Sequence, residues 1–211
     1  MSGLFHVRRI VWIVGGVVWL TAATAGLAWM ANYANRPGAA ADAPSDWPAR
    51  STLPRDVSRP TLVMLAHPQC DCTKASLAEL AELVARATRR PKTIVVFIRP
   101  PDVGAHWEQT ALWRAAEQIP DTTVVRDDDG DEARRFRSET SGQTLLYGSN
   151  GHLLFSGGTT IARGHLGDSP GFAAILAILG GNNPGRTTTP VFGCSLFATA
   201  EAVRSLEASQ R

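Results

Sequence analysis

The stretch that decides the fold is Leu65-Ala66-His67-Pro68-Gln69-Cys70-Asp71-Cys72-Thr73, which joins an apolar run to an amphipathic one. The apolar run, Thr61 to Leu65, has the composition of a buried strand. The amphipathic run, Lys74 to Ala87, repeats leucine and valine at the spacing of one helix face. The sequence therefore predicts that two of the three cysteines lie where a strand ends and a helix begins.

This position favours a reactive thiol. The free amide groups and the positive dipole end of a helix's first turn stabilise an anion, and a thiolate is such an anion. A cysteine of lowered pKa is therefore predicted at this junction, and His67 and Lys74 are candidates for stabilising its thiolate. The carboxylate of Asp71 opposes them, because a negative neighbour raises the pKa of a thiol. The alternative is that Cys70 and Cys72 are two small buried residues at a turn.

Composition limits the classes of protein to consider. With 211 residues, 44% of them hydrophobic, the chain is long enough for one main domain with appendages. The net charge is +2 and the basic residues are scattered, so nothing indicates nucleic acid as a partner. Three cysteines are too few for a disulfide-stapled scaffold, and an odd number leaves one thiol unpaired unless disulfides exchange.

The N-terminal segment predicts a membrane anchor. No charged residue occurs from Ile10 to Asn35, and a helix needs about 20 apolar residues to cross a bilayer. Arg8 and Arg9 precede this run, so the flank 1–9 is predicted to stay in the cytoplasm, with 10–31 crossing the membrane. A cleaved signal peptide is the alternative, but the apolar run exceeds the roughly 7–15 residues of such a segment. Either way the rest of the chain is predicted to lie outside the cytoplasm, in the periplasm if the cell is Gram-negative.

Three further regions follow the anchor. Residues 32–56 are rich in proline and alanine and predict an extended tether, although the ten residues that end at Pro60 could instead pack on the domain. Residues 57–181 predict an α/β domain. Residues 182–211 form a C-terminal extension that bears Cys194 and predicts a last helix from Phe197 to Leu206.

The predicted element order of the domain is β-α-β-α-β-α-β-β-α. The run from Lys92 to Arg99 is apolar on both faces, as in a central parallel strand. A helix is predicted from Trp107 to Ile119, and Ser149-Asn150-Gly151 predicts the turn of a terminal hairpin. These patterns predict a mixed central sheet with helices on both faces. The predicted strands are Thr61–Leu65, Lys92–Arg99, Thr122–Arg126, Thr144–Tyr147 and Leu153–Phe155.

This order, with a cysteine pair after the first core strand and a hairpin near the end, resembles the thioredoxin-like superfamily. Among its members the chain is most similar to membrane-tethered periplasmic thiol oxidoreductases, including the RedB-type proteins. The resemblance covers about residues 57–179 and implies that His67-Pro68-Gln69-Cys70 leads to the nucleophile, Cys70. It also implies a thiol- or disulfide-bearing protein or small molecule as partner, and no cofactor.

The chain departs from the family pattern at two places. The family's second cysteine, three residues after the first, falls at Thr73, and the second cysteine here is Cys72 instead. The family's cis-proline, which faces the cysteine pair, corresponds to the segment Ser141-Gly142-Gln143-Thr144, which contains no proline. This weakens the analogy with exchange on a broad protein clientele.

Two residues outside the motif complete the set of candidates. Cys72 is the nearest thiol that could resolve an intermediate on Cys70, and Cys194 is the other, if its Pro- and Gly-bearing segment folds back onto the domain. The glycine-rich loop 156–168 could carry Arg163 and His165 toward the cysteines, although an ordinary surface connection has the higher base rate. The predicted catalytic set is Cys70, Cys72, Cys194, His67, Thr73 and His165.

The same residues support a second hypothesis. Cys70, Cys72, Cys194 and one histidine, His67 or His165, would form a soft-ligand set suited to Cu(I) or zinc. The chain would then be a non-enzymatic metal-binding or delivery module. The preferred prediction remains a membrane-tethered, extracytoplasmic thiol–disulfide oxidoreductase without a resident metal.

Overall fold

The structure, a computed structural model, describes residues 2–39, 41–101 and 103–197. The helices are α1 (Ser2–Ala34), α2 (Asp71–Arg86), α3 (Ala111–Glu117), α4 (Asp131–Arg135) and α5 (Pro170–Leu179). The strands are β1 (Thr61–Ala66), β2 (Lys92–Arg99), β3 (Thr122–Asp128), β4 (Gln143–Tyr147) and β5 (Leu153–Gly157). From β1 onward this is the predicted order.

The five strands form one mixed sheet in the order β3-β2-β1-β4-β5. Strands β1, β2 and β3 are parallel, whereas β4 runs antiparallel to both β1 and β5. Near its carboxyl end β1 pairs on both sides, Leu65 with Val96 of β2 and with Gln143 of β4. This topology is the predicted thioredoxin-like fold. It places the cysteine-bearing stretch at the carboxyl end of β1, the central strand of the sheet.

Side chains alternate along the central strands into two cores. Leu62 and Met64 of β1 face the core shared with α2, α3 and α5. Val63 and Leu65 face a second core, closed by Phe136 at the end of α4 and by segments without regular structure. Helices therefore lie on both faces of the sheet, as predicted, but irregular segments close much of the second core.

Helix α3 is shorter than the predicted run from Trp107 to Ile119. It begins at Ala111 because the side chain of Thr110 accepts a hydrogen bond from the amide of Leu112, which caps the helix. The preceding turns leave Trp107 outside the helix. That freedom lets its ring pack edge-on against His67, with centroids 5.5 Å apart.

The predicted tether is packed rather than extended. Trp47 makes edge contacts with Phe136 and Tyr147 in the second core, and Leu53 is buried. The hydroxyl of Tyr147 donates to the carbonyl of Pro44 at 3.0 Å. Burial of these apolar groups offsets the ordering cost that the Pro- and Ala-rich composition had suggested would dominate.

The polar contacts of this segment centre on one carboxylate. Glu132 accepts hydrogen bonds from the hydroxyl of Ser51 and from the amide and hydroxyl of Thr52. These donors hold the pKa of Glu132 below its usual range despite its burial. Ser51 and Thr52 lie in the stretch for which packing was the predicted alternative, and the contacts of Trp47 show that packing begins a few residues before it.

Helix α1 belongs to a separate compact unit of the chain, up to Arg36. Its portion from His6 to Ala34 has a mean hydropathy of 1.9 and is long and apolar enough to span a membrane. The predicted C-terminal helix, from Phe197 to Leu206, lies outside the described residues beyond Phe197, which itself sits in a turn.

Candidate active site

Cys70 lies at the junction between β1 and α2. It is the N-cap residue of α2, its backbone is extended, and its side chain makes no capping bond to the helix amides. The amide of Thr73 donates to the carbonyl of Cys70 at 2.9 Å, which closes the first turn. The side chain of Cys70 is buried, in a residue only 1% exposed. The thiol therefore lies beside the positive end of the helix and away from bulk water.

A second segment, residues 187–197, covers this junction from the other end of the chain; we call it the C-terminal segment. The amide of Ser141 donates to the carbonyl of Cys194 at 2.8 Å, and Thr140 and Ser195 form an antiparallel bridge. Gly193 lies so close to Ser141 that a β-carbon there would be 2.0 Å from the Ser141 carbonyl oxygen. These contacts place the Sγ of Cys194 3.0 Å from the Sγ of Cys70.

The three sulfur atoms form one cluster. Those of Cys70, Cys72 and Cys194 all lie within 4.8 Å of one another, and all three cysteines are free thiols. Cys70 is buried, whereas Cys72 and Cys194 are half-buried. Both predicted resolving thiols therefore reach the site, and Cys194 lies in hydrogen-bonding contact with Cys70.

The cluster divides its negative charge unevenly. Hydrogen bonds from the thiols of Cys194 and Cys72 lower the pKa of Cys70, although burial opposes them. The amide of Cys194 and the side chain of Thr73 lower it further. The pKa of Cys194 is raised, first by its hydrogen bonds to Cys70 and Cys72 and then by burial. One thiolate, on Cys70, is thus held by two protonated neighbours.

The pKa of Cys72 is raised by effects that partly oppose one another. Its hydrogen bond with Cys194 lowers its pKa, but hydrogen bonding to Cys70, burial and the charge of Cys70 outweigh that effect and raise it. The guanidinium of Arg163 acts in the opposite direction and favours a thiolate on Cys72.

A chain of hydroxyl groups leads to Cys70. The amide of His67 donates to the Oγ of Ser141 at 2.8 Å, and the hydroxyls of Ser141 and Thr73 are 2.7 Å apart. Because the hydroxyl of Thr73 donates its hydrogen to the sulfur of Cys70, Ser141 is the donor in its contact with Thr73. Thr73, at the position of the family's second cysteine, therefore supplies a donor in place of a thiol.

His67 is buried but does not supply a positive charge. Its Nδ1 accepts from the amide of Gln69 at 3.2 Å, and burial lowers its pKa, although the negative charge of Cys70 opposes the effect. The ring is therefore neutral near pH 7, with its proton on Nε2, which has no hydrogen-bond partner among the described residues. Lys74, the other predicted cationic partner, is exposed.

The glycine-rich loop delivers one of its two candidate residues. The Nη1 of Arg163 donates to the carbonyl of Gly193 at 2.5 Å, next to Cys194 in the C-terminal segment. His165 is exposed on the same loop and lies outside the sulfur cluster. Arg163 is thus the residue of this loop that joins the site.

The predicted four-ligand metal set is only partly assembled. The group that could hold an ion consists of the three cysteines, and neither His67 nor His165 belongs to it among the residues that the structure describes. Zinc sites in proteins are almost always four-coordinate, and structural ones take all four ligands from the chain. The donor set therefore favours thiol chemistry over a closed zinc site.

Known proteins resemble the chain in fold. No protein-family model matches it, and no curated protein matches it in sequence. The structure of a hypothetical protein from Sinorhizobium meliloti 1021 has a TM-score of 0.55 at 20% identity, covering 79% of this chain and 99% of that one. An uncharacterized conserved protein from Geobacillus kaustophilus gives 0.57 at 15% identity, covering 77% and 98%. At such identities the likeness concerns the fold.

A third structure carries a functional name. A secreted Mycobacterium tuberculosis disulfide oxidoreductase aligns over 45% of this chain and 66% of its own, with 16% identity and a TM-score of 0.35. The thioredoxin-like fold of the present chain is defined by its sheet topology and element order.

Proposed function

We propose that the chain is a thiol–disulfide oxidoreductase whose redox pair is Cys70 and Cys194. The observation that carries this proposal is the 3.0 Å contact between the two sulfurs at the N-terminus of α2. A buried thiolate with a protonated thiol against it is the arrangement that disulfide exchange needs, since one sulfur attacks and the other resolves. The RedB-type and other membrane-tethered thiol oxidoreductases, which the sequence resembles, offer the nearest analogy for the whole chain.

In the reduced protein the Cys70 thiolate attacks one sulfur of a partner's disulfide. The partner's S–S bond breaks, its other sulfur leaves as a thiolate and takes up a proton, and a mixed disulfide forms on Cys70. Cys194 then loses its proton and attacks the Sγ of Cys70, which forms the Cys70–Cys194 disulfide and expels the second partner sulfur. Two electrons pass from the pair to the partner, and a dithiol partner reverses each step.

The predicted location is consistent with this chemistry. Disulfides persist in oxidising compartments, and an N-terminal helix of this apolarity, with arginines before it, would hold the domain on the outer side of the membrane. The partner is then a protein or small molecule that carries a thiol or disulfide in that compartment.

The test is a titration of the thiols of the full chain, purified in detergent, against glutathione redox buffers under metal-free anaerobic conditions. We expect a reversible two-electron transition in the wild type that Cys194→Ser abolishes and Cys72→Ser retains in shifted form. If the wild type shows no two-electron transition at any glutathione poise, the proposal is wrong.

Metal binding is the alternative that the same preparation distinguishes. A trigonal site of three thiolates would suit Cu(I), so a titration with that ion follows if no disulfide forms. Uptake of one equivalent that any one Cys→Ser variant prevents would replace the redox assignment.

A further inference from the structure

The redox pair leaves Cys72 unused, although its sulfur lies in the same cluster. An exchange reaction needs an attacking sulfur within reach of one sulfur of a disulfide, whose bonded partner then leaves. The sulfurs of Cys70, Cys72 and Cys194 meet this condition, since all their separations are at most 4.8 Å. Once Cys70 and Cys194 are joined, Cys72 is the remaining thiol and can attack their bond.

The attack by Cys72 would move the disulfide to sulfurs that are more exposed to solvent. Cys70 is 1% exposed, so a reductant of protein size can reach the Cys70–Cys194 disulfide only at the half-buried sulfur of Cys194. Cys72 and Cys194 are both half-buried, so a disulfide between them lies nearer the surface.

The charges around the three sulfurs bear on which sulfur attacks and which one leaves. When Cys72 attacks the Sγ of Cys194, the sulfur that leaves is Cys70. Its thiolate is still stabilised by the helix end, the amide of Cys194 and the side chain of Thr73, although the thiols of Cys72 and Cys194 no longer donate to it. Joining Cys70 to Cys194 removes the Cys194 hydrogen bond that lowers the pKa of Cys72 and also the hydrogen bond and charge of Cys70 that raise it, while the charge of Arg163 continues to favour the Cys72 thiolate.

Arg163 links the two reacting thiols. Its guanidinium holds the carbonyl of Gly193, the residue before Cys194, and its charge acts on Cys72. The same side chain thus positions the sulfur that is attacked and stabilises the sulfur that attacks.

From this geometry we propose, on the basis of the function proposed above, that the protein is a three-thiol relay in which Cys72 moves the disulfide from Cys70–Cys194 to Cys72–Cys194. In the transfer the Cys72 thiolate forms a bond to the Sγ of Cys194 and the Cys70–Cys194 bond breaks. Cys70 leaves as a thiolate, and no net electrons are exchanged. An external protein dithiol then reduces Cys72–Cys194 with two electrons, while Cys70 is already free for the next substrate disulfide.

The first experiment follows the disulfides of the wild-type full chain over time. The reduced protein receives one equivalent of dipyridyl disulfide, and samples are quenched in acid and their free thiols alkylated. Digestion on the amino side of aspartate cuts between Cys70 and Asp71, so mass spectrometry distinguishes linkage of Cys194 to Cys70 from linkage to Cys72. We expect Cys70–Cys194 first, then Cys72–Cys194 with free Cys70 reappearing.

The outcomes separate the relay from the function on which it rests. If Cys70–Cys194 persists and Cys72 stays alkylated at every time point, the relay is wrong while the oxidoreductase assignment stands. If neither disulfide forms, the oxidoreductase assignment fails as well. A direct Cys70–Cys72 bridge as the second species would also overturn the relay.

Two variants test the roles of individual residues. In Cys72→Ser we expect reduction of the oxidised protein by a protein dithiol such as thioredoxin to slow at least about tenfold, with a smaller effect on reduction by dithiothreitol, which is small enough to enter. An equal effect on both reductants would contradict the role of exposure. Arg163→Met should slow the appearance of Cys72–Cys194, and Arg163→Lys, which keeps the charge, should restore part of the rate; wild-type rates in both variants would remove Arg163 from the relay.

Discussion

Residues 67–73 and the C-terminal segment, residues 187–197, supply the two sides of the same site and are held there by different physics. The first is positioned by its neighbours in sequence, because β1 ends and α2 begins there. The C-terminal segment has little regular structure, and partners far away in the chain, including Thr140, Ser141 and Ser156, determine its path. The local sequence pattern therefore determines the position of Cys70, and contacts between distant parts of the chain determine the position of Cys194.

The difference matters because the two sides of the site depend on different contacts. Cys70 is part of a helix start that packs against the core, whereas Cys194 is held by backbone hydrogen bonds, a close glycine contact and the burial of Leu196 in the second core. The experiments below disturb one side at a time.

The largest effect should follow from Gly193→Ala. Its new β-carbon would lie 2.0 Å from the carbonyl oxygen of Ser141, so the C-terminal segment must shift. Overpacking of this kind costs about 1–3 kcal/mol, which should lower the equilibrium constant for Cys70–Cys194 against glutathione about 5- to 150-fold. Gly104→Ala is the matched control, because a β-carbon there meets no atom within 4 Å. Equal constants for the two variants would show that docking of this segment does not govern the pair.

A medium effect is expected from Thr73→Val on the locally determined side. Loss of the hydroxyl removes a donor to Cys70, so the pKa of Cys70 should rise toward the usual thiol range. Since the pKa values of Cys72 and Cys194 are raised, the first thiolate to form on titration from acid belongs to Cys70. Ultraviolet thiolate absorbance should place that first step at higher pH in Thr73→Val than in the wild type.

Thr73→Ser serves as the control for this shift, because it keeps the hydroxyl and should keep the titration near the wild-type position. A first step at the same pH in both variants would mean that the hydroxyl chain through Ser141 does not stabilise the thiolate.

The smallest effect should come from His165→Ala. The histidine is exposed and outside the sulfur cluster, so both half-reactions should stay within about twofold of the wild-type rate. Stopped-flow fluorescence or thiol release with dipyridyl disulfide measures the oxidative step. A tenfold loss would show that the loop closes over the cysteines during the reaction and would restore the catalytic role predicted from the sequence.

The sequence predicted what depends on local periodicity. The strand, the helix and the cysteines between them follow from apolar spacing around Cys70, and the sheet order follows from the sequence of elements. The same periodicity made the predicted α3 too long, because apolar spacing from Trp107 onward does not show that Thr110 caps the helix.

What the sequence did not predict depends on partners distant along the chain. Nothing in the sequence around Ser141 indicates that its hydroxyl would contact both the amide of His67 and the hydroxyl of Thr73. The proline content of residues 32–56 predicted an extended chain, but Trp47 packs against the rings of Phe136 and Tyr147. Composition measures the cost of ordering a segment, but only the fold shows what surface is available to offset it.

The close contact of Gly193 with Ser141 also sets an effective concentration. A thiol held against Cys70 behaves as if it were present at a high local molarity, and each ~1.4 kcal/mol lost from docking of the C-terminal segment lowers that molarity tenfold. For a two-electron couple such a tenfold change corresponds to about 30 mV of reduction potential. If the proposed redox pair is correct, small substitutions along residues 187–197 would therefore shift its reduction potential without changing a single cysteine.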